Sequence, residues 1–123
     1  LGQFMEVGAR EGHEFDMQAM FDRVDHPAIG RRGGSTGAPT LIALDDGTPM
    51  NGKGKQFVPH GRKVMMAFPG GAGYGDPKDR LVVSVMRDLV RGYISTEVAI
   101  NDYGLSHEDI SVAQEAISKG EDL

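Results

Sequence analysis

The spacing of hydrophobic residues changes about halfway along the chain. Over residues 1–68, short apolar runs alternate with polar residues and are separated by glycine and proline, a pattern typical of half-buried β-strands. Five runs are predicted as strands, with the sequences QFMEV, FDMQAMF, TLIAL, KQFVPH and KVMMAF. Tight turns are predicted at Asp46-Gly47 and His60-Gly61, because glycine accepts positive φ. We therefore expect a hairpin at Asp46-Gly47 and a β-meander over residues 40–68.

Residues 76–120 have the spacing of amphipathic helices. Apolar residues recur at every third or fourth position, first as Leu81, Val82, Val85, Met86, Leu89 and Tyr93. Capping aspartate and serine residues and terminating glycines set the helix boundaries. Three helices are predicted, from Asp76 to Gly92, from Ser95 to Gly104 and from Ser106 to Gly120. The predicted fold class is α+β, a β-rich part followed by three short helices in a single domain of residues 1–123, with residues 121–123 frayed.

Composition narrows the classes of function. The chain has 123 residues, 39% of them hydrophobic, which suffices for one modest core. It has no cysteine, so a disulfide framework and a thiolate metal site are excluded and a cytoplasmic location is expected. The net charge is -5, which disfavours nucleic acid and anionic membrane as partners. No apolar run is long enough to predict a membrane span.

The segment FPGGAGYGDPKDR, residues 68–80, lies between a predicted strand and a predicted helix, where free amides favour an anion. A nucleotide P-loop would place Gly-Lys-Ser/Thr at its end, whereas this segment has Gly75-Asp76-Pro77. Asp76 is expected to accept from the first free amides itself, and Pro77 has no N–H to donate. We favour a structural turn, with positive φ at glycines such as Gly73, over the alternative of a phosphate site.

Two further segments carry charged groups that invite a ligand. In GRRGGSTGAP, residues 30–39, paired arginines beside glycines could bind an anion, and the alternative is an exposed flexible loop. In DRVDHP, residues 22–27, the side chains of Asp22, Asp25 and His26 could hold a hard cation. Their spacing matches no recognised ligand motif, so we interpret them as a solvated turn and predict no metal site.

The predicted helices suggest two surfaces. Arg80, Arg87 and Arg91 are expected on one side of the first helix, as a solvated face or a subunit contact. The segment STEVAINDYGLSHEDI has features of a helix-turn-helix, which supports an alternative hypothesis of an independent binding or regulatory module. Its second helix carries Glu108, Asp109 and Glu115, which a phosphate backbone would repel, so DNA binding is disfavoured.

Several motifs, taken in order, resemble the C-terminal region of the B subunit of the hydantoinase B/oxoprolinase family. They are DRVDHPAIG, Gly33-Gly34, Gly37-Ala38-Pro39, Gly52-Lys53, Pro69 to Pro77, Gly92-Tyr93-Ile94-Ser95, Ala99 and Tyr103-Gly104. The resemblance extends from about Asp22 to near the end of the chain. Since the chain opens at Leu1, we expect a fragment of a longer subunit.

The resemblance implies one part of an enzyme that is inactive alone. Members of the family are ATP-dependent N-methylhydantoinases, 5-oxoprolinases and acetone carboxylase-like enzymes. The implied partners are an ATP-handling A-type subunit and the upstream part of the same B subunit. ATP and a divalent metal are implied for the complex, and no cofactor for this fragment. The catalytic residues are unknown and are expected upstream of Leu1.

The glycine-rich segments remain the candidate substrate-binding or anion-binding site. The candidate residues are Arg31, Arg32, Gly33, Gly34, Gly70, Gly71, Gly73, Tyr74 and Gly75. A domain this small cannot cover all its strand edges, so we also expect self-association through the β-rich part, with the three arginines secondary.

Overall fold

The computed structural model describes residues 2–120 and has an α+β fold, as predicted. All five predicted strands are present: β1 Gln3–Gly8, β2 Phe15–Met20, β3 Leu41–Leu44, β4 Lys53–Val58 and β5 Lys63–Phe68. They are followed by a 3₁₀ turn Pro77–Asp79 and by α1 Val82–Val90, α2 Thr96–Asn101 and α3 His107–Lys119. The expected fraying of residues 121–123 lies outside the described residues.

The described chain forms two compact units. The β unit contains residues 2–30 and 35–72, and the helical unit contains residues 31–34 and 73–120. The short segment Arg31–Gly34 thus belongs with the helices, although the β-rich part of the sequence surrounds it. In the part of the chain that is described, no helix is both long and apolar enough to cross a membrane.

The β unit has two antiparallel sheets, with strand orders β1-β5-β3 and β2-β4. The predicted meander is therefore wrong, because β4 pairs with β2 and β5 lies between β1 and β3. The turn at His60-Gly61 does exist, with the amide of Arg62 donating to the carbonyl of Pro59 at 3.1 Å, but it joins strands of different sheets. The residues of a turn determine where the chain reverses direction. Which strands pair depends on side-chain burial between segments that are far apart in the sequence.

The hairpin at Asp46-Gly47 is confirmed in a short form. The amide of Gly47 donates to the carbonyl of Leu44 at 2.9 Å, and the amide of Leu44 donates to Thr48 at 2.8 Å. The returning arm makes one bridge, between Ala43 and Pro49. The amide of Met50 donates to the carbonyl of Ile42 at 3.1 Å, so the bond beyond Pro49 is also made, and the missing N–H of Pro49 costs this pairing no hydrogen bond.

The core of the β unit draws side chains from both sheets. Its buried members are Ile42, Leu44, Val58, Val64 and Met66. The Phe21 and Phe68 rings pack against this cluster with their centroids 5.7 Å apart. By contrast, all six residues of the edge strand β1 are exposed, including Phe4 at 64%. Strand β1 thus presents an apolar surface that the described part of the unit leaves open to solvent.

The helical unit is organised by caps. The hydroxyl of Ser95 accepts from the amide of Val98 at the start of α2. At the start of α3, Ser106 and Asp109 form a capping box, and the helix ends at Gly120. The helices bury a core of Val85, Leu89, Ala99, Leu105, Ile110 and Ala113. The predicted second and third helices are confirmed with their capping residues.

The first helix begins later than predicted. Asp76 caps the separate 3₁₀ turn rather than α1, and α1 starts at Val82 after an extended residue at Arg80. Arg80 therefore precedes α1, which corrects the prediction that all three arginines belong to the first helix. Its guanidinium pairs with Asp88 at 2.6 Å and lies 5.6 Å from the centroid of the Tyr103 ring. The sequence predicted one helix here because Pro77 and Asp76 suit the start of either structure.

Candidate functional site

Two glycine-rich segments of the helical unit lie side by side. Arg31 and Tyr74 form a parallel β-bridge. The amide of Arg31 donates to the carbonyl of Gly73 at 3.0 Å, and the amide of Gly75 donates to the carbonyl of Arg31 at 3.0 Å. These bonds join two segments that are about 40 residues apart in the sequence. The structure thus brings together seven of the nine candidate residues, Arg31 to Gly34 and Gly73 to Gly75.

Gly34 makes the closest approach between the two segments. A Cβ at this position would overlap the backbone carbonyl of Gly73 and would lie 2.6 Å from the amide nitrogen of Tyr74. The neighbouring atoms are backbone, which cannot move aside as a flexible side chain can. Packing therefore requires glycine at position 34 whether or not a ligand binds.

Arg32 has an unusual backbone conformation for an arginine. Its φ is 50° and that of Gly33 is 92°, and the amide of Gly34 donates to the carbonyl of Arg31 at 3.0 Å. Positive φ at both central residues is the geometry of a type I′ turn, which favours asparagine or glycine. The Arg32 guanidinium lies 5.7 Å from the centroid of the Tyr74 ring, which is 73% exposed. The turn thus presents a cation over an exposed aromatic ring.

Gly70 and Gly71, the other two candidate residues, belong to the β unit. The carbonyl of Gly70 accepts a hydrogen bond from the Arg23 guanidinium at 3.2 Å. A Cβ on Gly71 would meet no atom within 4 Å. Among the glycines of the segment 70–75, positive φ occurs at Gly75, at 82°, and the expectation of positive φ at Gly73 is wrong. Gly73 is positioned instead by its carbonyl, which accepts the bond from the Arg31 amide.

Asp76 uses its carboxylate as predicted. One carboxylate oxygen accepts from the amide of Lys78 at 2.9 Å. The acceptor position at this turn is therefore filled by the protein's own anion. This arrangement favours a structural role for the segment.

A second candidate lies in the β unit, at a groove of about 710 Å³. One wall is formed by residues 21–26 and includes Asp22, Asp25 and His26, the residues considered for a metal. The other wall is formed by residues 50–53, whose Lys53 pairs with Asp22 at 2.8 Å. Sequence reasoning missed this groove because its walls are separated by about 30 residues, and the Gly52-Lys53 motif was the one available signal.

Lys53 lowers the pKa of Asp22, which also lines the groove. The pKa of Asp22 is lowered from its ordinary value, first by the hydrogen bond from Lys53 and then by the positive charge of that ammonium group. Asp22 is therefore an anion at neutral pH. Within residues 2–120, no group of three histidine, aspartate or glutamate side chains is placed to hold a metal ion.

Comparison with known proteins agrees with the glycine-rich motifs. Residues 1–77 match the family model described as Hydantoinase B/oxoprolinase. The match covers well over half of the sequence. This chain belongs to the hydantoinase B/oxoprolinase family. Neither the curated proteins nor the solved structures contain a significant match.

The hydantoinase B match includes every strand and both glycine-rich segments, and it ends as the 3₁₀ turn begins. The helices α1 to α3 lie beyond it, so their Gly92 to Ser95 and Tyr103-Gly104 motifs remain a resemblance. The resemblance implies ATP and a divalent metal for the complete complex, and the described residues carry no recognised motif for either. Residues 68–80 do not end in the Gly-Lys-Ser/Thr of a nucleotide P-loop, and within residues 2–120 no three metal-ligating side chains converge.

Proposed function

We propose that this chain is the C-terminal region of the B subunit of an ATP-dependent hydantoinase/oxoprolinase-type amidohydrolase. The observation that carries the proposal is the family match over residues 1–77, which includes the paired glycine segments. The reaction couples ATP hydrolysis to ADP and phosphate with the addition of water across a ring amide C–N bond. It yields a carboxylate and, on the nitrogen side, an amine from 5-oxoproline or a ureido group from N-methylhydantoin. The other reaction class that the resemblance implies, carboxylation of a ketone, forms a C–C bond instead.

Within that enzyme, the chain serves as framework. The two glycine segments pair with each other through backbone hydrogen bonds and through the close approach at Gly34. As the family resemblance implies, ATP and metal are held by the A-type subunit and by other parts of the B subunit. We therefore expect the isolated chain to be inactive. The cysteine-free composition supports a cytoplasmic location for the complex.

The exposed strand β1 is the surface through which the chain binds its partners. Phe4, Met5 and Val7 are all exposed, at 64%, 39% and 38%. An edge strand with exposed apolar residues favours pairing with another strand. In the complete subunit the upstream part of the B subunit covers β1, and the isolated chain associates with a second copy there. Sedimentation at several concentrations tests this step, and a monomer at every concentration would contradict it.

The activity test compares the isolated chain with the complete complex. Each is incubated with ATP, magnesium and 5-oxoproline or N-methylhydantoin, and ring opening and phosphate release are followed. We expect no turnover by the isolated chain and turnover by the parent B subunit mixed with its A-type partner. Ring opening by the isolated chain that survives repurification would overturn the proposed division of roles. An inactive complete complex would overturn the proposed reaction for both substrates.

A further inference from the structure

The groove of the β unit is built by two segments that fit closely. The amide of Phe21 donates to the carbonyl of Gly52 at 2.8 Å and ties the walls together. A Cβ on Gly52 would lie 2.6 Å from Cγ2 of Val24. The space of about 710 Å³ that these walls leave is within the range of small-molecule sites.

The lining of this groove combines an apolar floor with both signs of charge. Phe21, Val24 and Met50 are partly buried and pack on the core of the β unit. Arg23 and Lys53 supply positive charge, and Asp22 and Asp25 supply negative charge. The formal charges of these four groups cancel. His26 is the remaining ionisable group of the lining, so the lining as a whole has no net charge when His26 is neutral.

Arg23 is held in place at a cost in backbone strain. Its φ is 61°, and among the described residues only Arg32 shares positive φ without being glycine. Its carbonyl accepts from the amide of buried Thr40 at 2.8 Å, while its guanidinium reaches Gly70. Non-glycine residues with positive φ occur preferentially at functional sites. The strain therefore marks this wall of the groove as preorganised.

The mixture of charges selects among ligand classes. A simple anion would meet repulsion from Asp22 and Asp25, and a simple cation would meet repulsion from Lys53 and Arg23. A molecule with one positive and one negative group can pair with both sets at once by replacing the Lys53–Asp22 ion pair, while the apolar side chains accept a hydrocarbon group. We propose that the groove binds a small zwitterion of the amino-acid class. This inference goes beyond the proposed ring-opening function and does not depend on it.

The test uses the whole chain and amide NMR titration. The probes are L-leucine, 4-methylpentanoate, which lacks the ammonium group, and 3-methylbutylamine, which lacks the carboxylate. We expect saturable shifts of the Val24, Asn51 and Gly52 amides with L-leucine. Binding of each single-charge probe should be about tenfold weaker or more, because each loses a charge-assisted hydrogen bond.

Two lysine substitutions provide a matched comparison. Lys53 pairs with Asp22 in the groove, and Lys55 pairs with Asp16 outside it, both at 2.8 Å and both exposed. K53M should weaken L-leucine binding by about tenfold, whereas K55M should leave it unchanged. D25N, which alters the opposite charge, should also weaken binding, and thermal melts verify that each variant is folded.

Three results would overturn the proposal. They are equal binding of all three probes, equal effects of K53M and K55M, and no saturable shift in the groove up to tens of millimolar L-leucine. Because the readout is binding to the isolated chain, a negative result here leaves the ring-opening assay of the complex unaffected.

Discussion

The β unit and the helical unit are specified by different kinds of interaction. In the β unit, β5 at Lys63–Phe68 pairs with β1 at Gln3–Gly8, at the other end of the unit's sequence. In the helical unit, the capping serines act on amides three residues away, as Ser106 does on Asp109. Contacts at short sequence separation can be predicted from local sequence patterns, whereas strand pairing depends on the packing of the whole unit.

One feature of the helical unit departs from this rule. Its segment Arg31–Gly34 comes from the middle of the β-rich sequence and pairs with Gly73 to Gly75. A unit whose helix ends are set by local caps thus also depends on backbone hydrogen bonds between segments about 40 residues apart. The comparison predicts that the largest effects of small substitutions will occur at such distant contacts, and that effects at caps will be smaller.

The largest effect is expected for G34A. The added Cβ would overlap the Gly73 carbonyl, so the variant should lose about 3 kcal/mol of unfolding free energy. G71A is the matched control, because a Cβ there meets no atom within 4 Å and Gly71 lacks positive φ. Denaturant unfolding measures both variants. Equal stability of G34A and G71A would remove the basis for treating the segment pairing as structural.

The cap of α3 should have an intermediate effect. S106A removes the hydroxyl that accepts from the Asp109 amide at 3.1 Å, and should cost about 1 kcal/mol. S111A, in the same helix, removes a hydroxyl that donates to the His107 carbonyl within the helix, and alanine favours helix. S111A should therefore be neutral or stabilising. A loss at Ser111 equal to that at Ser106 would mean that local caps do not define this unit.

A smaller effect of opposite sign is expected at Arg32. R32N places a residue that tolerates positive φ at a position where φ is 50°. Relief of backbone strain should exceed the loss of the exposed contact with Tyr74 and raise stability by about 0.5 kcal/mol. Thermal unfolding of R32N and of R31N provides the comparison. A destabilised R32N would show that the arginine is retained for the fold.

The smallest effect concerns the pH response of the β unit. The pKa of Asp22 is depressed, so its pairing with Lys53 contributes stability above the ordinary aspartate pKa and loses it as pH falls through the folded value. K53M should return the pKa of Asp22 towards its ordinary range, and K55M should not change it. Carbon-13 NMR titration of the Asp22 carboxyl measures this. An identical titration in both variants would contradict the assigned cause.

The sequence predicted the elements better than their arrangement. Five strands, the Asp46-Gly47 turn and the caps at Ser95 and Ser106 follow from local spacing and side-chain chemistry. The division into two sheets did not, because β4 and β5 are joined by a short turn and their sequences are equally compatible with pairing to each other. A turn such as His60-Gly61 predicts that the chain reverses direction, but it does not determine which strands pair.

The candidate site shows the same limit. The motifs identified the residues of the glycine segments, but the contact between Gly34 and Gly73 depends on backbone approach that no motif encodes. In the sequence, the segment near Asp22 is an isolated acidic cluster. Its pairing with Lys53 depends on tertiary structure, because the fold brings residues 21–26 and 50–53 together.

The central claim is that the glycine segments act as framework and do not hold nucleotide. Titration of the whole chain with ATP and magnesium, followed through the amides of Arg31 to Gly34 and Gly73 to Gly75, tests it most directly. If the segments act as framework, these amides should show no saturable shift. The amides of Arg31 and Gly75 already donate to backbone carbonyls, and the Asp76 carboxylate already accepts from the amide of Lys78. Saturable shifts at both segments with one nucleotide per chain would contradict it.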